Sequence, residues 1–540
     1  MLRVRGAVVG AAGVLCVFAC SSFAGDQGTA TEPPAGADAS ETSTVTGQGA
    51  SPINISVADE QPLELLQGKS AAISIRVERR DTFAGAVAVF AQKLPAGVTV
   101  DPLTVLPGQT AGTLTFHANG ASQALSNVEV QAFDEARTFP VSGTPLALLV
   151  RGAPGTLDET YGKNGVVELT HPGFAGTSCR SLVLQQDGKA IYLATATNAP
   201  YATLGRVDGT GQRDATFATA GYTRSELITN AFVMELRLAN DGKLVVYGTD
   251  NISTQASVVR FAQDGMVDAT FGVSGRRTLD GLPIVNAIEV MPDGGVLVAG
   301  RNGATFDNLA LLRLTGAGAV DTAFGTAGYV TIPPSAVAGA SRLVPSRILV
   351  RSTDIVVSFV GVRAVSTAAK AGVARVSLDG KSTPIIGETT TSYVTQYSLP
   401  LVSAPNGRIT VALNSFASGS ERMVLYRFLA DGMSQDTSFP GGGAFTVWTG
   451  VPYDLATDNA SRFVVGIGAA PPDPLAMKVA RHTSTGQIDT SFGDQGVASV
   501  NPGDTSFASA LAVQKDGRII ACGTRTRAGV DEVALARFWP

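Results

Sequence analysis

Along most of the chain apolar residues fall in short runs of four to eight, never sustained at the three-to-four spacing of an amphipathic helix. Between residues 51 and 152 the runs alternate: INISVADE, SAAISIRVERR, AVAVFAQ, GTLTFHANG and VEVQAFDEA are separated by Pro and Gly turns. Period two with a turn every dozen residues predicts half-buried strands of a β-sandwich. Beyond residue 152 the pattern changes. Runs such as KLVVYG, GVLVAG and IVVSFVG are continuously apolar, the signature of strands covered on both faces. A transmembrane barrel would alternate instead, so the second region predicts sheets stacked between sheets.

Three landmarks repeat through that second region. The first is a turn of Asp, any residue, Ser/Thr/Ala and an aromatic: LDETYG at Leu157, RDATFA at Arg213, VDATFG at Val267, VDTAFG at Val320, QDTSFP at Gln435 and IDTSFG at Ile488, with an eroded copy near Lys381. The second is a hairpin signal running into an apolar strand: QDGKAIYLAT, NDGKLVVYG, PDGGVLVAG, STDIVVSFVG, PNGRITVAL, DNASRFVVGIG and KDGRIIACG. The third is a strand bearing Arg206, Arg260, Arg313, Arg375, Arg427, Arg481 or Arg537, at intervals of 54, 53, 62, 52, 54 and 56 residues. Each landmark counts to seven. The interval is too long for a β-helix coil and suits a four-stranded propeller blade with its loops.

The ordered triplet of motifs resembles the delta-60 repeat, a bacterial β-propeller family of unknown function whose units pair an LDxSFG-like turn with a PDGK strand and an Arg strand. The likeness runs from about Thr156 to Pro540 and is weakest from Ser352 to Tyr393, where both turns are lost. It implies a fold and carries no catalytic residues. The stretch from Leu94 to Phe116, LPAGVTVDPLTVLPGQTAGTLTF, is similar to immunoglobulin-like modules of bacterial surface proteins. The expected architecture is therefore all-β: an N-terminal immunoglobulin-like β-sandwich at 51–152 and a seven-bladed β-propeller at 153–540.

The N-terminal fifty residues add an address. Arg3 and Arg5 precede an apolar run from Gly6 to Ala19, too short to span about 30 Å of hydrocarbon as a helix, and residues 1–19 read as a signal peptide. Its end, VFACS, resembles the bacterial lipobox and nominates Cys20 for lipidation, although Phe18 stands where that pattern prefers a small residue. The alternative is plain secretion after Ala24. Residues 20–50, rich in Gly, Thr, Ser, Ala and Pro and without Lys or Arg, read as a disordered tether. The expected location is the cell envelope, as an outer-membrane lipoprotein held through a lipid anchor only.

Composition narrows the chemistry. Charged residues make up 16% of the chain and the net charge is −5 with no basic block, which leaves no nucleic-acid footprint. GxSxG, HExxH, P-loop and CxxC patterns are missing from the chain beyond residue 20, and no cofactor or metal site is predicted. A residue found in nearly every unit is a scaffold part: the aspartates of the first landmark cap their turns, the aromatics fill space between blades, and the arginines bond blade to blade. His117 reads as a surface histidine without ligand partners. His171 and His482 fall in units that closure would make neighbours. Cys179 and Cys522, in the terminal units, are candidates for a disulfide across the seam of an exported protein.

What varies between units is the connection after each apolar strand: TNAPY, TDNISTQA, RNGATFDN, VRAVSTAAKAG, SFASGSERM, APPDPLAM and TRTRAGVD. These loops should gather on one face, with Arg301, Asp307, Arg363, Lys370, Arg422, Arg525, Arg527 and Asp531 as its charged points. The expected role is non-catalytic display of a propeller for protein or glycan binding. Two alternatives stand: a polysaccharide hydrolase or lyase working through carboxylates at the central channel, and a purely structural envelope protein.

Overall fold

The computed structural model describes residues 51–540 except 58–61, 140, 172–173, 175, 197–200, 230–234, 250–255, 364–368, 390–398, 418–419, 449 and 469–474. The expected signal peptide, Cys20 and the expected tether lie outside the described residues. Residues 51–540 form one compact unit.

Its N-terminal part consists of two sheets. One has four strands in the order Ile53–Val57, Ser70–Arg79, Ala111–Ala118, Val98–Val100. The other has five, in the order Leu63–Leu66, Ser142–Arg151, Ala124–Asp134, Val87–Gln92, Leu103–Val105, with Leu63–Leu66 running parallel to its neighbour. Alternation in the sequence becomes alternation in burial. Ile75, Val77, Leu114 and Phe116 of the first sheet meet Val87, Val89, Val130 and Leu148 of the second in one core. His117 is not solitary here: Ser70 Oγ lies 2.6 Å from its Nδ1 and an Asp101 carboxylate oxygen 2.9 Å from its Nε2, partners that strand pairing supplies and linear spacing hides.

The remainder is a β-propeller. Among the described residues it comprises seven four-stranded antiparallel sheets. Sheets 1 to 6 are continuous in the chain, spanning Thr177–Thr229, Glu235–Thr278, Ile284–Ile332, Arg342–Glu388, Leu401–Trp448 and Val451–Val500. Sheet 7 is composite: Thr505–Val513, Ile519–Arg527 and Val530–Phe538 are completed by Val166–Leu169, which pairs antiparallel with Val530–Phe538. Both chain ends of the propeller thus share one sheet, and the first strands of successive sheets touch in a closed cycle around the axis. Closure also separates the histidines. His482 belongs to sheet 6, so sheet 7 stands between it and His171, contrary to the expectation that closure makes them neighbours.

The repeated residues meet as one unit. In sheet 1 the Arg206 guanidinium donates Nε to Asp214 at 2.9 Å, Nη2 to Thr216 Oγ1 at 3.1 Å and Nη1 to the Gln263 carbonyl of sheet 2 at 3.3 Å, while stacking 4.8 Å from the Phe217 ring centre. Asp214 uses its other oxygen to accept from the Thr216 amide and hydroxyl. Arg260 and Arg427 repeat the arrangement, down to the carbonyl of the next sheet. The arginines therefore do bond sheet to sheet, and their ion pairs with the turn aspartates are an addition that the sequence reading did not make. Phe217 sits in the core between sheets 1 and 2, and its ring explains a glycine. Gly265 of the next turn has φ +86°, and a Cβ there would fall 2.5 Å from the ring.

Two variations instruct. Where both turns have eroded, Arg375 finds its acid elsewhere: Asp354, at the start of the second strand of sheet 4, binds Arg375 and Arg351 together, and Arg375 still reaches the Asp431 carbonyl. The motif is lost and the interaction kept. At the seam, Arg537 donates to Asp158 at 2.8 Å across 379 residues and to the Gly209 carbonyl at 2.6 Å. The turn that sheet 7 offers sheet 6 comes from the linker after the sandwich. Gly493 donates to the Pro154 carbonyl at 3.0 Å, as Gly272 does to Ala317. Gln123 of the five-stranded sheet then grips both ends of the ring, accepting from Trp539 Nε1 and the Glu159 amide, each at 2.8 Å, and donating to the Leu157 carbonyl at 3.2 Å.

Candidate functional site

A site that distinguishes this propeller needs residues that do not repeat, and the structure gathers them on the first strands, around the axis. In five of these strands a β-bulge interrupts the register at the same place, between Cys179 and Ser181, Val285 and Ala287, Pro345 and Arg347, Pro452 and Asp454, and Ala508 and Ala510. A bulge leaves one residue unpaired and re-aims side chains. Adjacent sheets are joined through these interruptions: Glu235 accepts the Ile288 amide at 2.8 Å, Ser346 Oγ the Leu399 amide at 2.6 Å, and Asp454 the Leu511 amide at 3.0 Å.

Beside the bulges lies a network of charge. Arg237 donates to Glu289 at 2.9 Å and to Glu235, and Arg347 lies 3.2 Å from the same Glu235. Glu235 is sealed, with 1% of its side chain exposed, whereas Arg237, Glu289 and Arg347 keep 22%, 23% and 24%. Burial pushes the Glu289 carboxyl up against the opposing pull of Arg237, and pushes Asp454 up against Arg347. Burial also works against the Arg237 charge, but Glu235 and Glu289 more than restore it. Arg180, at the bulge of sheet 1, is exposed and donates Nε to Thr195 Oγ1 at 2.9 Å.

This network escaped the sequence reading, which treated the strand ahead of each hairpin as unremarkable. The signal is there. CRSLVL, ELRL, IEV, SRILV and YDLA break an apolar pattern that SALAV of sheet 7 keeps.

The residues nominated on the loops all lie at or beside connections between the second and third strands of their sheets, and so on one face. Much of that face, including 197–200, 250–255, 364–368, 418–419 and 469–474, lies outside the described residues. Arg301, Arg363 and Asp307 are half-buried; Asp307 accepts from the Thr305 hydroxyl, and its carbonyl accepts the Leu343 amide at 2.9 Å. Lys370 pairs with Glu388 at 2.7 Å. Arg525 is buried rather than presented to solvent, bonded to Glu168 at 2.7 Å, to Glu532 and to the Pro502 carbonyl. Arg527 shares Glu168 and Pro502, Asp531 accepts from Thr526 at 2.7 Å, and Arg422 is exposed.

Cys179 and Cys522 are joined by a disulfide, with Cα atoms 6.1 Å apart, linking sheet 1 to sheet 7 beside the composite seam. His171 Nε2 lies 2.8 Å from the Tyr192 hydroxyl and its Nδ1 3.3 Å from Thr177 Oγ1. His482 is fully buried, and neither ring nitrogen has a hydrogen-bond partner among the described residues. Burial holds both imidazoles down at about 4. Among the described residues no group of His, Cys, Asp and Glu is placed to hold a metal ion, and no helix is long and apolar enough to cross a membrane.

A family model described as a β-propeller domain of unknown function (DUF5122) matches residues 239–271 and 514–540, two stretches that contain the hairpin and Arg strand of sheets 2 and 7. The match supports a β-propeller family of unknown function. No curated protein matches the chain. Among solved structures, regucalcin of Agrobacterium tumefaciens, a calcium-binding protein, is 11% identical with a TM-score of 0.30, covering 67% of this chain and 93% of its own. The acylaminoacyl peptidase of Pyrococcus horikoshii is 12% identical with a TM-score of 0.36, over 66% of this chain and 51% of its own. A GH43 endo-arabinanase of Bacillus licheniformis is 11% identical with a TM-score of 0.28, over 48% and 96%. Likeness at this level brings neither activity nor ligand to this chain.

Proposed function

We propose that the protein is a non-catalytic, lipid-anchored component of the cell envelope, in which an immunoglobulin-like sandwich braces a seven-bladed propeller that binds a protein or a glycan. The observation that carries this reading is the commitment of the axial carboxylates. Glu235 holds two arginines and an amide, Glu289 holds Arg237, and Asp454 holds two amides. Acids so engaged shape and rigidify a channel; hydrolysis needs one carboxylate free to attack or to activate water. Binding falls to the exposed connections on one face. Capture from envelope extracts by the full-length chain, eluted in parallel after protease and after periodate treatment, tests it. Loss of capture with one treatment identifies the partner class, and failure to retain anything contradicts the reading.

A second reading rests on one observation: burial raises Glu289 and Asp454 toward the protonated form a glycosidase acid requires. Release of reducing ends from an envelope polysaccharide, abolished by Glu289→Gln, would establish it. The anchor is tested separately. Cys20→Ser should abolish fatty-acid labelling and free the protein from the membrane fraction, and unchanged labelling would overturn lipidation.

A further inference from the structure

The sandwich has two unlike ends. At one, the Gln67 amide donates to the Arg151 carbonyl at 2.9 Å and Gln123 grips the ring. The strand Ser70–Arg79 starts there and runs ten residues away, about 30 Å at roughly 3.3 Å per residue. At its far end Ile53 pairs with Arg79, and the Arg80 amide donates to the Pro52 carbonyl at 2.7 Å. The chain that leads from Cys20 through residues 21–50 therefore joins the fold at the end opposite the propeller.

A groove of about 870 Å³ opens at that end, lined by three arginines, Arg76, Arg79 and Arg80, together with Phe83 and a single acid, Glu78. The Arg79 guanidinium is fixed by carbonyls, those of Gly85, Val105, Leu106 and Gln109, and no carboxylate among the described residues lies within ion-pair distance of it. Arg76 is exposed and makes no hydrogen bond or ion pair among the described residues. Arg80 lies 3.6 Å from a Glu78 oxygen that also accepts from Asn54 at 3.2 Å. Asp81 and Glu135, on adjoining turns, are exposed and do not line the groove. Apolar side chains stand beside this unmatched charge. Phe83 meets Phe139 edge to face, ring centres 5.6 Å apart, and Phe139, Val141 and Leu106 are exposed on turns of the same end. Buried Asp134 holds the turn that carries Phe139, accepting the Thr138 and Phe139 amides at 3.0 and 3.1 Å. Cations set among exposed apolar side chains suit the headgroup layer of a bilayer: guanidinium forks take phosphate oxygens, and the apolar side chains reach the acyl boundary.

We propose that this end of the sandwich is a lipid-facing surface, in which Arg76, Arg79 and Arg80 bind the phosphate of an anionic phospholipid headgroup. The choice of occupant rests on the anchored reading above, because residues 21–50 lead from Cys20 to this end of the fold. Its test is separate. The exported Cys20→Ser chain, which cannot be acylated, is co-sedimented with vesicles of phosphatidylcholine alone and of phosphatidylcholine with phosphatidylglycerol. Fatty-acid labelling of the parent reports the anchor independently, so either reading can fail without the other. Expected is binding to the phosphatidylglycerol vesicles only, weakened about fivefold by Arg76→Gln or Arg80→Gln and about thirtyfold by both together. Leu106→Asp should weaken it as well, and Lys381→Gln, the same charge change on an exposed residue of the propeller, should leave it unchanged. No binding, equal binding to both vesicles, or binding indifferent to the arginine substitutions overturns the surface. Binding of soluble polygalacturonate without binding of vesicles assigns the groove to an acidic glycan and likewise overturns it.

Discussion

The outer and inner regions of the propeller use arginine to opposite ends. Outside, Arg206, Arg260, Arg427 and Arg537 each hold a turn aspartate of their own sheet, an aromatic face and a carbonyl of the next sheet, so that one residue type welds ring neighbours together. Inside, Arg180, Arg237 and Arg347 sit on three different sheets with three different sets of partners. A periodic interaction can only make a ring. An aperiodic one gives the ring a direction, so function is to be sought where the repeat fails rather than where it is strongest.

Breaking the outer set at its seam should have the largest effect. Asp158→Ala leaves the buried Arg537 unpaired and unpins the strand Val166–Leu169 from a partner 379 residues away. Removing one member of a buried pair costs about 3–5 kcal/mol, which should show as a large fall in the denaturation midpoint. Asp214→Ala, within a continuous stretch of chain, should fall less, and equal losses would deny the seam any special weight.

The disulfide sharpens the same contrast. By the loop-entropy account, closing so long a loop stabilises by up to about 4–5 kcal/mol, with measured values often smaller. Cys179→Ala should therefore destabilise the oxidised protein, and thiol counting on the unreduced, denatured chain lacking residues 1–20 should find none. Two free thiols would contradict the bond.

Acidity probes the dry space between sheets. His171 and His482 are held near 4, below the ordinary 6.5, so between pH 6.5 and 4 the unfolded chain binds protons that the folded one refuses. Stability is full above that window and falls through it by roughly 3 kcal/mol per histidine. His482 stands where Phe261, Phe428 and Phe538 stand in other sheets, each directly after its arginine. His482→Phe should therefore remove about half of that slope in a series of denaturation curves from pH 7 to pH 4. A slope unchanged from the parent would assign the acid sensitivity elsewhere. Partial burial raises the turn aspartates Asp214, Asp268, Asp436 and Asp489, but their Thr or Ser hydrogen bonds and arginines hold them below the usual range, so further loss begins under about pH 4.

Smallest is the effect expected on the loop face. Lys370→Ala removes a half-exposed pair with Glu388 and should change the midpoint by no more than about 0.5–1 kcal/mol.

The contrast also explains what could be read from the sequence. The propeller repeat was legible because the same residues recur in order, and the two-sheet core because alternation is local. The Arg–Asp pairing was not, although both residues had been singled out, because it depends on strands three and four of a sheet folding back on each other. Sheet 4 hid more: with its turns gone, nothing in STDIVVSFVG announces that Asp354 replaces the missing acid. The inner network was least legible of all. Glu235, Glu289, Arg347 and Asp454 are scattered over 220 residues, and only closure of the ring brings them to one axis.

The division between a periodic arginine that holds the ring and an aperiodic one that does not is tested most directly by one pair of denaturation curves, for Arg260→Met and Arg180→Met. Arg260 is buried, bonded to Asp268, Thr270 and Gly316, and stacked on Phe271. Among the described residues Arg180 has a single hydroxyl as hydrogen-bond partner. The account predicts a loss of about 3–5 kcal/mol for the first and within about 1 kcal/mol for the second. Equal losses, or the larger loss from Arg180→Met, would contradict it.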